Sequence, residues 1–213
     1  MGTHALTVVM LEKKPVIAHV SYYDGYPDGL GVDILKQLRR WEWNLIREKL
    51  HVYHLLPKDE FERFKVNRRL DEDALCKAHP HFFFGDGAQL LEKILDSKPD
   101  DFIESRYMFS YGYDSLNCEW AYVIDLDYNM LFVYRGLNET PLSPNELFYT
   151  EKDIPHASNG YYPLRLCAMY NIEKLPDDEL FVKGVRQSVK RQDAIQNGDY
   201  KYLAEWLGDT LGN

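Results

Sequence analysis

Carboxylates and glycines crowd one short stretch of this chain, Tyr23-Asp24-Gly25-Tyr26-Pro27-Asp28-Gly29-Leu30-Gly31. Glycines at 25, 29 and 31 let backbone approach a ligand closely, and a helix starting just after them would present unpaired N–H groups. Such a cradle suits phosphate in many proteins. Here Asp24, Asp28 and the following Asp33 would repel an anion, and no Lys follows Gly31 as a P-loop requires. Carboxylates suit acid–base chemistry, or the orientation of a hydroxyl-bearing or cationic ligand. Asp24 and Asp28 are therefore candidate catalytic groups, with Tyr23, Gly25, Tyr26, Gly29 and Gly31 as candidate ligand contacts. The competing reading is a tight strand-to-helix turn in which Asp caps and Gly supplies positive φ.

A second candidate is Asp114-Ser115-Leu116-Asn117-Cys118-Glu119-Trp120. Polar groups where a strand begins can project into a cleft, with Glu119 and Trp120 as ligand contacts. Cys118 would be a nucleophile if its thiol pKa were depressed. The sequence does not place a base beside it from among His19, His79 and His156, and a buried packing thiol is the plainer alternative. Thr3 is a further nucleophile candidate. Gly2-Thr3 at the head of a strand resembles the processing junction of proteasome-type N-terminal-nucleophile hydrolases, where a free α-amino group activates the hydroxyl. No partnering Lys is assignable.

Weaker patterns complete the inventory. Cys76, His79, His81 and Asp86 include zinc-ligand types, but their spacing matches no common zinc pattern, so no metal is expected and no cofactor is indicated. Lys183, Arg186 and Lys190 share one side of a predicted helix, either as an anion contact or as a solvated face. Tyrosines 22, 23, 26, 107, 111, 113, 161 and 162 lie near Gly, Ser and Asn, a mixture that suits recognition surfaces as well as sheet edges.

The elements that must hold these residues follow from periodicity. Thr3–Leu11 and Val16–Tyr22 read as a β-hairpin around Glu12-Lys13-Lys14-Pro15. Leu30, Ile34, Leu38, Trp41 and Leu45 form one face of a helix running to about Leu50. Pro57 to Pro80 reads as charged covering structure, Gly87–Leu95 as a helix, and Glu104–Tyr113 as extended. Cys118–Leu126 alternates, with Trp120, Tyr122 and Ile124 facing one way, and pairs with Met130–Arg135 across a turn. Leu164–Tyr170 is a further strand, Asp177 opens a helix with Leu180, Phe181, Val185 and Val189 inward, and Asp199–Leu207 is a last short helix. Hairpins separated by helices predict an α+β fold with a mainly antiparallel sheet, as a single domain over residues 1–213.

Composition narrows the function classes. The chain has 213 residues, a net charge of −9 and 45% hydrophobic residues, the balance of a globular protein with a real core. An acidic chain lacks the basic footprint of nucleic-acid binding or of attachment to a membrane surface. No run approaches the roughly 20 apolar residues that span a bilayer. Three widely spaced cysteines make no disulfide framework, and no signal-peptide pattern opens the sequence. A cytoplasmic setting is expected.

Two segments together resemble a known family. Met1-Gly2-Thr3-His4, followed by a second strand and the Tyr23–Gly31 loop, is similar to a family of uncharacterised bacterial, phage and fungal proteins. Those begin Met-Gly-Thr-Arg-His and carry an aromatic-Asp-Gly-Tyr-Pro-Glu-Gly-x-Gly loop. Ser115-Leu116-Asn117-Cys118-Glu119-Trp120-Ala121-Tyr122 resembles their later Cys-Glu-Trp-Ala-Tyr segment, in the same order along the chain. This chain has His4 where Arg is usual and Asp28 where Glu is usual. The resemblance implies that the loop and the Cys118 region are sites, and it implies no particular reaction. Two functions are consistent with these residues. One is a small-molecule enzyme of hydrolase type, or a ligand binder, using the Asp-Gly-Tyr-Pro loop. The other is a protein-interaction module, such as an inhibitor or sensor in bacterial or phage conflict, with Tyr-rich loops as its interface.

Overall fold

The computed structural model describes residues 2–40, 43–67, 69–150 and 160–199. At its centre lies a five-stranded sheet of β1 (Ala5–Leu11), β2 (Lys14–Ser21), β7 (Trp120–Asp125), β8 (Met130–Arg135) and β9 (Arg165–Asn171), in the order β2-β1-β7-β8-β9. The two expected hairpins are present, and β9 adds antiparallel to β8. The hairpins join side by side through a parallel pairing of β1 with β7, from Ala5↔Trp120 to Met10↔Asp125. The fold is thus α+β with a mixed sheet. Hairpin reasoning could not supply the parallel seam, because its partners are far apart in sequence.

Both sheet faces are covered, which explains why β1 reads as a nearly continuous apolar run. On one face Ala5, Val9, Ile17, Trp120, Tyr122 and Ile124 pack against α1 (Val32–Arg40), α5 (Gly87–Asp96) and α6 (Asp178–Gln196). The predicted side for Trp120, Tyr122 and Ile124 is the observed one. On the other face Leu6, Val8, Met10, Ala121 and Val123 pack under Phe148, Leu142 and Leu164. α5 starts with a reciprocal capping box between Asp86 and Gln89, and α6 is capped by Asp177.

The helix predicted from Leu30 to Leu50 is helical at Val32–Arg40 (α1) and again at Trp43–Lys49 (α2), and Trp41 lies outside the described residues. The charged region after Pro57 holds α3 (Lys58–Glu62), a ribbon of β4 (Lys65–Val66) and β5 (Arg69–Leu70), and α4 (Glu72–Ala78). β3 (Tyr53–Leu56) pairs in parallel with β6 (Ile103–Arg106), a second parallel contact that local patterning did not reveal. After β6 the expected extended run turns into a short 3-10 segment, Phe109–Tyr113. His156 and the predicted helix beyond Asp199 fall outside the described residues. Among the described residues no helix is long and apolar enough to cross a membrane.

Candidate functional site

Most polar groups of the Asp24–Gly31 loop are turned onto the loop itself and onto the sheet. Asp24 sits at φ 52°, a left-handed conformation in which Asp is tolerated. Gly25 N–H donates to Thr3 O at 3.0 Å, and Leu30 N–H donates to Asp24 O at 3.0 Å. Gly29 and Gly31 N–H both donate to Tyr26 O at 3.1 Å. The fully buried Tyr122 hydroxyl donates to Gly25 O at 2.9 Å, tying the loop to the middle of the sheet. Gly31 is there for space: a Cβ would come within 2.9 Å of the Tyr122 ring and 3.1 Å of Phe181. At Gly29 a Cβ would meet the Asp24 carboxyl at 2.6 Å. Asp28 is engaged by Arg186 of α6, Nη2 to Oδ2 at 2.6 Å, and Asp33 by Lys36 at 2.8 Å. Here the turn reading accounts for the residue types.

The other candidates separate in space. Thr3 is buried, and its carbonyl is occupied by Gly25. Cys118 has no exposed surface, its thiol donates to Trp120 O at 3.3 Å, and it packs in the core on the sheet face opposite the loop. Burial pushes its thiol well above the ordinary range, with the charges of Asp114 and Glu119 adding to that effect. A protonated, inaccessible thiol is the packing case, not the activated nucleophile. Glu119 bridges chain segments through its backbone, donating to His4 O at 3.1 Å and accepting from Gly136 N–H at 2.8 Å. Tyr26 and Trp120 do come together, in a cleft beside α6 with Arg186 and Lys190.

A second concavity gathers residues that the sequence leaves far apart. Between β2, β6 and the Phe82–Gly85 segment lies a pocket of about 410 Å³, lined chiefly by Phe61, Phe82, Phe83, Phe84 and Met108. Tyr22 and Tyr23, which lead into the loop, also line it, 49% and 78% exposed. Arg106 lies over the Phe61 ring at 4.6 Å, and Glu72 supplies a charge of the other sign. The polar groups deepest in the pocket are His19 and Ser105.

Their hydrogen bonds fix the state of the histidine. His19 Nε2 lies 2.8 Å from Gly85 O, which can only accept, so Nε2 carries the proton. Burial lowers the His19 pKa below its ordinary 6.5, outweighing the Gly85 hydrogen bond and the Asp86 charge that act the other way. The ring is therefore neutral near pH 7, and Nδ1 is a lone-pair acceptor for the Ser105 hydroxyl at 2.9 Å. Nearby Tyr53 has a buried hydroxyl without a hydrogen-bond partner among the described residues. Its pKa is pushed up to about 12 by burial, with the adjacent Ser105 side chain acting the other way, so the hydroxyl stays protonated at neutral pH. His19 appeared in the sequence only as an unplaced base, and Ser105 was hidden inside an ordinary strand. The Phe82-Phe83-Phe84-Gly85 run was the available signal for this wall.

Among the described residues no group of three or more His, Cys, Asp and Glu side chains is arranged to hold a metal ion. His79 of the weak zinc pattern instead sits between Glu104 at 3.0 Å and Glu60 at 3.4 Å, while Cys76 is exposed. Comparison with protein-family models, curated proteins and solved structures finds no match to this chain.

Proposed function

We propose that the chain is a small-molecule enzyme of hydrolase type, with the aromatic pocket as substrate site, Ser105 as nucleophile and His19 as base. The observation that carries this reading is the 2.9 Å Ser105 Oγ–His19 Nδ1 contact on a ring whose tautomer Gly85 O dictates. As Oγ attacks a substrate acyl carbon, its proton passes to Nδ1, and the leaving group departs with that proton. Water, deprotonated by the same nitrogen, then releases the acid and restores the serine. The transient imidazolium gains support from Gly85 O on Nε2 and from the nearby Asp86 charge.

The lining indicates the substrate class. An apolar lining rich in Phe suits an ester or amide with a flat apolar body, and Arg106 suits one that also carries a carboxylate. Ser105 itself has no exposed surface, so a substrate reaches it by displacing the exposed rim aromatics Tyr22, Tyr23 and Phe84. In this reading the Asp-Gly-Tyr-Pro loop positions Tyr22 and Tyr23, and Asp24 and Asp28 act on the loop instead of on substrate. The three free thiols support a cytoplasmic setting.

The test is reaction of the intact chain with an alkyl fluorophosphonate, followed by intact-mass measurement and peptide mapping. One adduct on Ser105, lost in Ser105→Ala and in His19→Gln, is expected. A folded protein that takes no adduct at Ser105 would overturn the assignment. A second reading, an interaction module, draws on the exposed Tyr22, Tyr23 and Tyr26, which are 49%, 78% and 48% accessible along one loop. In that case Tyr23→Ala would abolish partner capture and Ser105→Ala would leave it unchanged.

A further inference from the structure

α6 carries a line of cations against the other end of the loop, at a site that shares no lining residue with the aromatic pocket. Lys183, Arg186 and Lys190 stand three and four residues apart, so they share one face of the helix. That face looks onto two adjoining hollows, of about 460 and about 700 Å³, which have Asp28, Arg186 and Lys190 in common. The smaller hollow is also lined by Tyr26, Pro27 and Trp120 from outside α6 and by Val189 of α6 itself. Tyr26 is 48% exposed, so much of its side chain is open to solvent in the hollow that it lines.

The charges around it are unevenly satisfied. Asp28 is paired with Arg186 at 2.6 Å, and Asp178 with Arg39 at 2.6 Å. Asp33 is drawn off to Lys36, and the Asp24 carboxyl is turned toward Gly29. Lys183 and Lys190 make no hydrogen bond or ion pair among the described residues, with Glu179 the remaining carboxylate on the outer hollow. Two of the three loop carboxylates, Asp28 and Asp33, are thereby each paired with a cation. A merely solvated helix face does not need an aromatic wall facing its cations across a cleft.

We infer that this cleft is a second binding site, for a flat-ringed ligand bearing a phosphate group. The ring lies on Tyr26 beside Pro27 and Val189, and the phosphate oxygens take Lys183 and Lys190. Two ammonium groups one helical face apart suit a dianion, and the Asp28-bound guanidinium of Arg186 supplies a further flat surface for the ring.

Isothermal titration of the full chain at low salt with adenosine monophosphate, adenosine and inorganic phosphate tests the site. The monophosphate is expected to bind about tenfold more tightly than either fragment, a difference of about 1.4 kcal/mol. The double variant Lys183→Glu/Lys190→Glu should lose about tenfold for the monophosphate while keeping the parent melting temperature, because both side chains are on the surface. Ser105→Ala should bind it as the parent does, which separates this site from the hydrolase reading. A monophosphate bound no better than phosphate alone, or equally well by the double variant, would overturn the inference.

Discussion

In the Asp24–Gly31 loop, polar atoms meet one another and the Thr3 carbonyl just before β1, and the buried Tyr122 hydroxyl locks them from below. In the pocket beside it, His19 and Ser105 meet each other from residues 86 apart, with the buried Tyr53 hydroxyl close to Ser105. The loop is dense in groups that look chemical and satisfies nearly all of them locally. The pocket is poor in such groups, and the pair it holds joins a neutral imidazole to a serine hydroxyl brought together by the fold. Local density of Asp and Gly therefore reports a demanding backbone path. Readiness for chemistry is better judged by which buried donors and acceptors have only each other.

Three measurements would break or sharpen that contrast. The largest effect is expected from Gly31→Ala, whose Cβ would be forced to within 2.9 Å of Tyr122 and 3.1 Å of Phe181. Overpacking of this kind costs about 1–3 kcal/mol, read as a fall in chemical-denaturation midpoint. An unchanged midpoint would mean that the loop is not the packed keystone described. Asp24→Ala comes next, since alanine gains nothing locally at φ 52°. A loss of about 1 kcal/mol with fluorophosphonate labelling intact is expected. Lost labelling at full stability would return Asp24 to the chemistry and reverse the contrast.

The smallest effect concerns pH. Folded His19 has its pKa below 6.5, so below that pH the unfolded chain takes up a proton that the folded chain refuses. Its contribution to stability is complete above 6.5 and is lost as pH falls from there toward the lowered folded value. Melting temperatures measured from about pH 8 to about pH 5 should begin to fall near 6.5, and His19→Gln should flatten that part of the curve. Labelling of Ser105 should persist through that window and fade only as pH reaches the lowered folded value, where a protonated Nδ1 no longer accepts the serine proton. A variant with the parent's full pH slope would remove His19 as the responsible group.

What the sequence made legible was local. The alternation of Trp120, Tyr122 and Ile124, the two hairpins, the span of α5 and the Asp177 start of α6 all rest on neighbours within a few residues, and the structure has them in place. The seam between β1 and β7 and the contact of β3 with β6 rest on partners about 115 and about 50 residues apart, which no short period encodes. The candidate site divides along the same line. Gly25, Gly29 and Gly31 were legible as a special backbone path because that path is local. Ser105 was not, because nothing near it in the chain announces the His19 that meets it.

The β1–β7 seam also bears on how the chain is made. Residues 5–21 can close as a hairpin early in synthesis, yet β1 has both faces in the finished core and its outer edge waits for a strand made more than 100 residues later. Until β7 arrives, that hairpin shows an unpaired apolar edge of the kind that captures other chains. Closing so long a loop is slow, and the two hairpins are the natural units to form first and dock afterwards. Nascent chains halted before Trp120 should therefore depend on chaperones far more than the full-length protein, a vulnerability set by the order of translation.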